Sequence, residues 1–207
     1  MRVLFVSFLV VIVDQVSKLL VKGFSIPIIN FQHNGMYEGE RIRILGNFFR
    51  ITFIENPGMA FGIDPGSNFK LWISIFSILA SIGIIIYMFL MKKEKLSFRF
   101  SLALILGGAI GNLIDRLFYG IVYGYGKLFY GSVVDFLDVN FFHFTLFGKT
   151  FDRWPIFNVA DAAVTIGILI LLIFHTRTSS KKQNELTADN TVPIPIENET
   201  KDNIISG

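Results

Sequence analysis

The chain has 207 residues, 52% of them hydrophobic and only 17% charged, with 23 Phe and a formal net charge of +3. Mean hydropathy is +0.57, and the apolar residues come in long blocks, which excludes an ordinary soluble domain. The absence of Cys excludes disulfides, thiolate nucleophiles and Cys-based metal sites.

The first apolar block covers residues 3–21. It is too long for the apolar region of a secretory signal peptide, and no small-residue cleavage pattern follows it. Asp14 and Lys18 lie in it at i and i+4, so they share a helix face and can neutralise each other inside a bundle. Residues 24–62 are mixed in character. Arg41-Ile42-Arg43-Ile44 and Arg50-Ile51-Thr52-Phe53 alternate with period two, which predicts short strands of a small surface sheet. The stretch closes at Asn56-Pro57-Gly58, a turn signal.

Residues 69–91 form a second apolar block, long enough to cross about 30 Å of hydrocarbon. Lys92, Lys93, Lys95 and Arg99 follow it. A third block, 100–119, contains Gly107-Gly108-Ala109-Ile110-Gly111-Asn112-Leu113-Ile114-Asp115-Arg116. Gly107 and Gly111 share a face and admit a close neighbouring helix. Asn112 and Arg116 share another. A charge at the end of an apolar helix serves a site, a partner or a snorkelling contact with the membrane surface. Arg116-Leu117-Phe118-Tyr119-Gly120 then recurs as Lys127-Leu128-Phe129-Tyr130-Gly131, a local duplication of which only the second copy leads to an aspartate, Asp135. The fourth block is 156–175, followed by Arg177, Lys181 and Lys182. The polar tail 177–207 is expected to be disordered. The Lys and Arg clusters put both termini and the 92–99 loop in the cytoplasm, and the segments carrying Asn56 and Asp135 outside.

Asp135 lies in an apolar Val-Val-Asp-Phe setting; Asp161 opens the fourth block, three residues after Asn158. Either alone could be a helix cap or an interhelical hydrogen-bond partner. Brought together in a low-dielectric site, two carboxylates share a proton, one acting as base and one as acid, without metal, Ser or Cys. Motifs for a Ser nucleophile elbow or a His-Glu-x-x-His zinc site are absent, and the three His are scattered. A proton-coupled carrier also uses intramembrane Asp, but no inverted repeat is evident. A third class is a non-catalytic lipid- or peptide-binding membrane protein.

Asp14-Gln15-Val16-Ser17-Lys18, Asn56-Pro57-Gly58-Met59-Ala60-Phe61, Gly107 to Arg116, Val133-Val134-Asp135-Phe136 and Phe157-Asn158-Val159-Ala160-Asp161 occur in the order of the signal peptidase II family, and the chain resembles that family from Val11 to Gly167. The resemblance implies an all-α bundle of four transmembrane helices with a small extracytoplasmic β-cradle, forming one membrane-embedded peptidase domain over residues 1–176. It implies an aspartyl endopeptidase of the bacterial inner membrane with Asp135 and Asp161 as its catalytic pair. Asn56, Gly58, Asn112, Arg116 and Asn158 fall on substrate-binding positions, with Arg116 toward the lipid-bearing part. Asp14, Lys18 and Asp115 fall on structural ones. The implied substrate is a diacylglyceryl-modified prolipoprotein, cut immediately before its lipidated Cys, with membrane lipid as the other partner. No metal, cofactor or nucleic acid is expected, and the chain is expected to act as a monomer. Two features depart from the family pattern: Met59 stands where Ala is usual, and the duplication lengthens the approach to Asp135.

Overall fold

The computed structural model describes residues 2–58, 67–140, 144–146, 149–151 and 153–173. Met59 and the tail 177–207 lie outside them. The chain falls into two units, Met1–Leu171 and Leu172–Gly207. The first holds every element except the last two residues of the final helix.

Helix α1 (Leu4–Lys22) contains neither Gly nor Pro and stops at Gly23. There φ turns to 88° and the Gly23 N–H closes onto the Leu19 carbonyl at 2.8 Å. Helix α2 spans Ser67–Leu90 and α3 spans Leu96–Ile114. The α3 axis continues through a π-helical turn, Asp115–Tyr119, into one last turn, α4 (Gly120–Val122). The final helix, α5, is Val159–Ile173. Three helical segments, Leu4–Lys22, Asn68–Leu90 and Leu96–Val122, are long and apolar enough to cross a membrane; α5 is apolar but shorter. Its start falls at Val159 rather than 156 because Phe157 pairs with Leu137 in a β-bridge.

The helices present apolar side chains outward and keep polar ones inside. α1 exposes Phe5, Phe8, Val13 and Leu20 while burying Ser7, Asp14 and Lys18. α2 exposes Trp72, Phe76 and Leu79 while Ser74 and Ser81 are buried. Such a surface is stable against lipid, where helices are held by close packing and polar links rather than by hydrophobic drive. The glycine face read from the sequence supplies the close packing. A β-carbon on Gly107 would stand 2.7 Å from Val10 Cβ of α1, and one on Gly111 2.7 Å from Asp14 Oδ2. Gly108 faces the other way, where a β-carbon would stand 2.3 Å from the Ala160 carbonyl of α5. Two successive turns of α3 thus seat α1 on one side and α5 on another.

Strands β1 (Phe24–Ile26) and β2 (Phe31–His33) pair across a 3-10 turn at Pro27–Ile29. Strands β3 (Arg41–Leu45), β4 (Phe49–Asn56) and β5 (Val133–Val139) form an antiparallel sheet in that order. A further pair, β6 (Phe144–Leu146) and β7 (Lys149–Phe151), follows. Alternation predicts β3 and β4. It does not reveal β5, because Val133, Val134, Asp135 and Phe136 are all buried and the strand has no solvent face to mark.

The two copies of the duplicated segment fold differently. The first completes the π turn; the second turns back on it, with Phe129 N–H donating to the Leu117 carbonyl and Gly131 N–H to the Arg116 carbonyl at 2.9 Å. A β-carbon on Gly131 would stand 2.0 Å from the Asp115 carbonyl. This contact delivers the chain into β5 directly beside α3.

Candidate active site

Asp135 reaches the site by strand pairing. The β4–β5 register sets Asp135 opposite Ile54 and Val133 opposite Asn56. The Asn56 Nδ2 then donates to Asp135 Oδ2 at 3.0 Å, while Asn56 Oδ1 accepts the Gly58 N–H at 2.9 Å. Gly58 acts on the site through this turn: its φ of 101° is the left-handed region that favours glycine.

Asp161 reaches the site from the first turn of α5. Its Oδ2 accepts the Asn158 N–H at 3.2 Å, and Asn158 Oδ1 accepts the Asp161 N–H at 2.9 Å, a reciprocal cap. The Asn158 amide also donates to Asp135 Oδ1 at 2.6 Å. One fully buried residue, Asn158, therefore touches both carboxylates, Asp135 through its side-chain amide and Asp161 through its backbone N–H. Asn112 supports it from α3: its Nδ2 donates to Asp161 Oδ1 at 2.8 Å, and its Oδ1 accepts from Asn158 Nδ2 at 3.0 Å. Asp135 and Asp161 line one cleft of about 470 Å³ with Asn56, Trp154, Phe157 and Ile166. Asn112 and Asn158 stand behind the carboxylates rather than in the cleft wall. Arg116, half-buried, faces Asp115, Asp135 and Asp161 electrostatically, and among the described residues its guanidinium has no hydrogen-bond or ion-pair partner.

Behind the site lies a charge cluster. Lys18 Nζ is 2.8 Å from Asp14 Oδ2 and 2.8 Å from Asp115 Oδ2, with all three side chains fully buried. Its remaining donor goes to Asn112 Oδ1 at 2.9 Å. With the Asn158 Nδ2 donor, that bond sets which way the Asn112 amide points and so aims its N–H at Asp161. The two acidic partners each hold the backbone one residue ahead of a site carboxylate. Asp115 Oδ2 accepts the Val134 N–H at 3.2 Å, and Asp14 Oδ1 accepts the Ala160 N–H at 2.9 Å.

Sequence reasoning does not single out Gln15, whose Nε2 donates to Asp115 Oδ1 at 2.8 Å and to the Gly111 carbonyl at 3.0 Å. It also passes over Asp138, which accepts from Thr52 Oγ1 at 2.8 Å and Arg153 Nε at 2.5 Å. This pair ties the chain leading into α5 to β5 and so fixes the separation of the two site carboxylates. A buried carboxylate one residue before the end of β5 was the available signal, but no spacing rule connects it to Arg153.

Burial, and after it the Asp161 carboxylate, pushes Asp135 up to about 7; hydrogen bonds from Asn56 and Asn158 and the charge of Lys18 act the other way. The site therefore pairs a carboxyl that keeps a proton near neutrality with a second carboxylate in the same cleft. That is the arrangement acid–base hydrolysis needs.

The model of the family described as signal peptidase (SPase) II matches residues 6–177. The chain belongs to the signal peptidase II family. It is similar to the lipoprotein signal peptidase of Porphyromonas gingivalis ATCC 33277, with 35% identity covering 83% of this chain and 81% of that one. It is also similar to that of Moorella thermoacetica, with 36% identity covering 83% and 90%, and to that of Chlorobium phaeovibrioides, with 41% identity covering 67% and 75%. Among solved structures, a bacterial membrane enzyme determined in meso at 1.9 Å resolution superposes with a TM-score of 0.61 at 30% identity, over 83% of this chain and 90% of that one. As a signal peptidase II family member the protein is a membrane peptidase of signal-peptide processing. The carrier and the non-catalytic binder are not favoured by any of these likenesses.

Proposed function

We propose that this chain is an aspartic endopeptidase that removes the signal peptide of diacylglyceryl-modified prolipoproteins, cutting immediately before the lipidated Cys. The relatives' shared name, lipoprotein signal peptidase, supplies the substrate class. The observation that carries the mechanism is the single residue Asn158 bonded to both Asp135 and Asp161 at one cleft. The two carboxyls hold one proton between them. The ionised member takes a proton from a water as it attacks the peptide carbonyl, and the protonated member gives its proton to the leaving amine. Titration belongs to the pair, so neither aspartate is permanently the base. Asn56, Asn112 and Asn158 keep the carboxyls oriented. The unpartnered Arg116 guanidinium is available to the lipid-bearing part of the substrate.

In this reading α5 completes a four-span bundle with both termini cytoplasmic. The β3–β4–β5 sheet is the extracytoplasmic cradle, and residues 1–176 are the catalytic domain, acting as a monomer. Purified protein incubated with a lipidated prolipoprotein, without metal or an energy source, should yield two fragments by mass spectrometry. An intact precursor would overturn the reading.

The same assay across pH tests the proton. Burial raises the folded Asp135 above its unfolded value, so the stability it contributes is complete below about pH 4 and is lost as pH rises through about 7. Cleavage should fall about tenfold per pH unit above this range as the shared proton is lost. A rate still rising to pH 9 would remove the shared proton from the mechanism.

Topology has its own test, on a background without cysteine. Cysteines placed at Ser67 and Thr145 should react with an impermeant thiol reagent from outside, once the outer membrane is opened. Those at Ser97 and Ser180 should not. The reverse pattern would put the site on the cytoplasmic side.

A further inference from the structure

The duplicated segment builds a second concavity, of about 400 Å³, against the start of α2. It is lined by Lys70, Tyr125, Gly126, Lys127 and Tyr130. Its frame is tied down at three points. Ser74 Oγ donates to the Phe129 carbonyl at 3.0 Å, Lys70 Nζ donates to Ser132 Oγ at 3.3 Å, and Ser132 N–H donates to Tyr125 Oη at 2.9 Å. Phe129 takes a left-handed φ of 72° to make this turn, which a bulky side chain adopts only when its surroundings enforce it.

The chemistry of the wall is one-sided. Two ammonium groups and two phenols face the groove, and no carboxylate lines it among the described residues. The sequence from Arg116 to Ser132 contains no Asp or Glu, nor does α2. Glu55 and Asp115, which Tyr125 senses electrostatically, are already ion-paired with Lys22 and Lys18. Because Tyr125 Oη accepts the Ser132 N–H, its own proton is free to be donated elsewhere. Lys22, stacked 4.3 Å from the Tyr123 ring centre and 5.2 Å from that of Tyr125, holds these rings in place.

The groove lies where α2 begins its apolar run. Phe69, Trp72 and Phe76 are exposed on the opposite face of the same helix, and Ile121, Val122 and Leu128 are exposed in the duplicated segment. A cationic groove at the end of an apolar helix long enough to cross a membrane lies where the headgroup of an anionic lipid would stand.

We propose that Lys70, Lys127, Tyr125 and Tyr130 bind the phosphodiester headgroup of an anionic phospholipid of the surrounding bilayer. The duplicated segment thereby becomes a lipid-binding element set apart from the Asp135–Asp161 cleft, and the site stands whether or not that cleft is a peptidase.

The test is native mass spectrometry of the detergent-purified full chain mixed with phosphatidylglycerol or with phosphatidylcholine of the same acyl chains. Phosphatidylglycerol should be retained preferentially. Each lysine removed should weaken retention about fivefold, at about 1 kcal/mol per cation near an anionic surface. Lys70→Gln with Lys127→Gln should therefore abolish the preference. Lys127→Gln alone, at an exposed position that leaves the frame intact, should show the single-step loss even if the double variant folds poorly. Equal retention of the two lipids, undiminished retention in Lys127→Gln, or displacement of phosphatidylglycerol by millimolar inorganic phosphate would each overturn the lipid assignment.

Discussion

Asp135→Asn and Asp161→Asn should each reduce cleavage by at least about 10²–10⁴-fold, the usual contribution of a positioned proton-transfer group. Asn matches Asp in size but neither takes nor gives the shared proton. The fold should survive. Asp135 accepts from both Asn56 and Asn158, so an Asn there keeps one acceptor and turns an NH₂ toward a second donor. The mismatch costs about 1–3 kcal/mol. Loss of a buried charge next to Asp161 offsets part of it. Precursor cleavage by mass spectrometry, read beside the thermal midpoint, separates the two effects. Near-normal turnover in either variant would remove that residue from the chemistry. Asp115→Asn provides the contrast. Asp115 accepts from Gln15, Lys18 and the Val134 N–H, so its loss should lower the midpoint first and cleavage only through it.

Lys18→Met should be the most destabilising single change outside the cleft. It leaves Asp14 and Asp115 buried with no cation between them, a situation that costs about 3–5 kcal/mol. It also removes one of the two donors that hold Asn112 Oδ1, leaving only Asn158 Nδ2 to orient the Asn112 amide toward Asp161. Cleavage should therefore drop even at temperatures where the variant remains folded. Lys18→Met combined with Asp115→Asn should recover part of the lost midpoint, because one of the two stranded charges is gone. It should not recover cleavage, because Asn112 still lacks its Lys18 donor. A Lys18→Met protein with a wild-type midpoint would mean that the cluster carries no net stabilisation. A normal rate in it would mean that Asn112 is held by other groups.

The sequence alone determined the solvent of this protein and the inventory of its site. Block length and hydropathy settle that α1, α2 and the α3–α4 segment are apolar enough for a bilayer, because a hydrocarbon core accepts only long apolar helices. The spacing of Gly107 and Gly111 foretold the face that receives α1, because helical periodicity is local and survives in any tertiary context. Local periodicity also gave β3 and β4, although β3 is exposed along its whole length and only β4 is partly buried.

What it could not determine is which polar groups meet. Asn56 and Asp135 are joined by the β4–β5 register, and β5 is buried on both faces, so no pattern in its sequence announces a strand. Asp14, Lys18 and Asp115 form one cluster only because glycines bring α1 and α3 into near contact. The direction of the Asn112 amide follows from Lys18, ninety-four positions away, and from Asn158, forty-six away. The same holds for the groove at Lys70, made when the second copy of the repeat folds back on the first. Each of these pairings depends on the distance between elements, which is set by close packing across the bundle. Residue spacing along the chain carries no record of it.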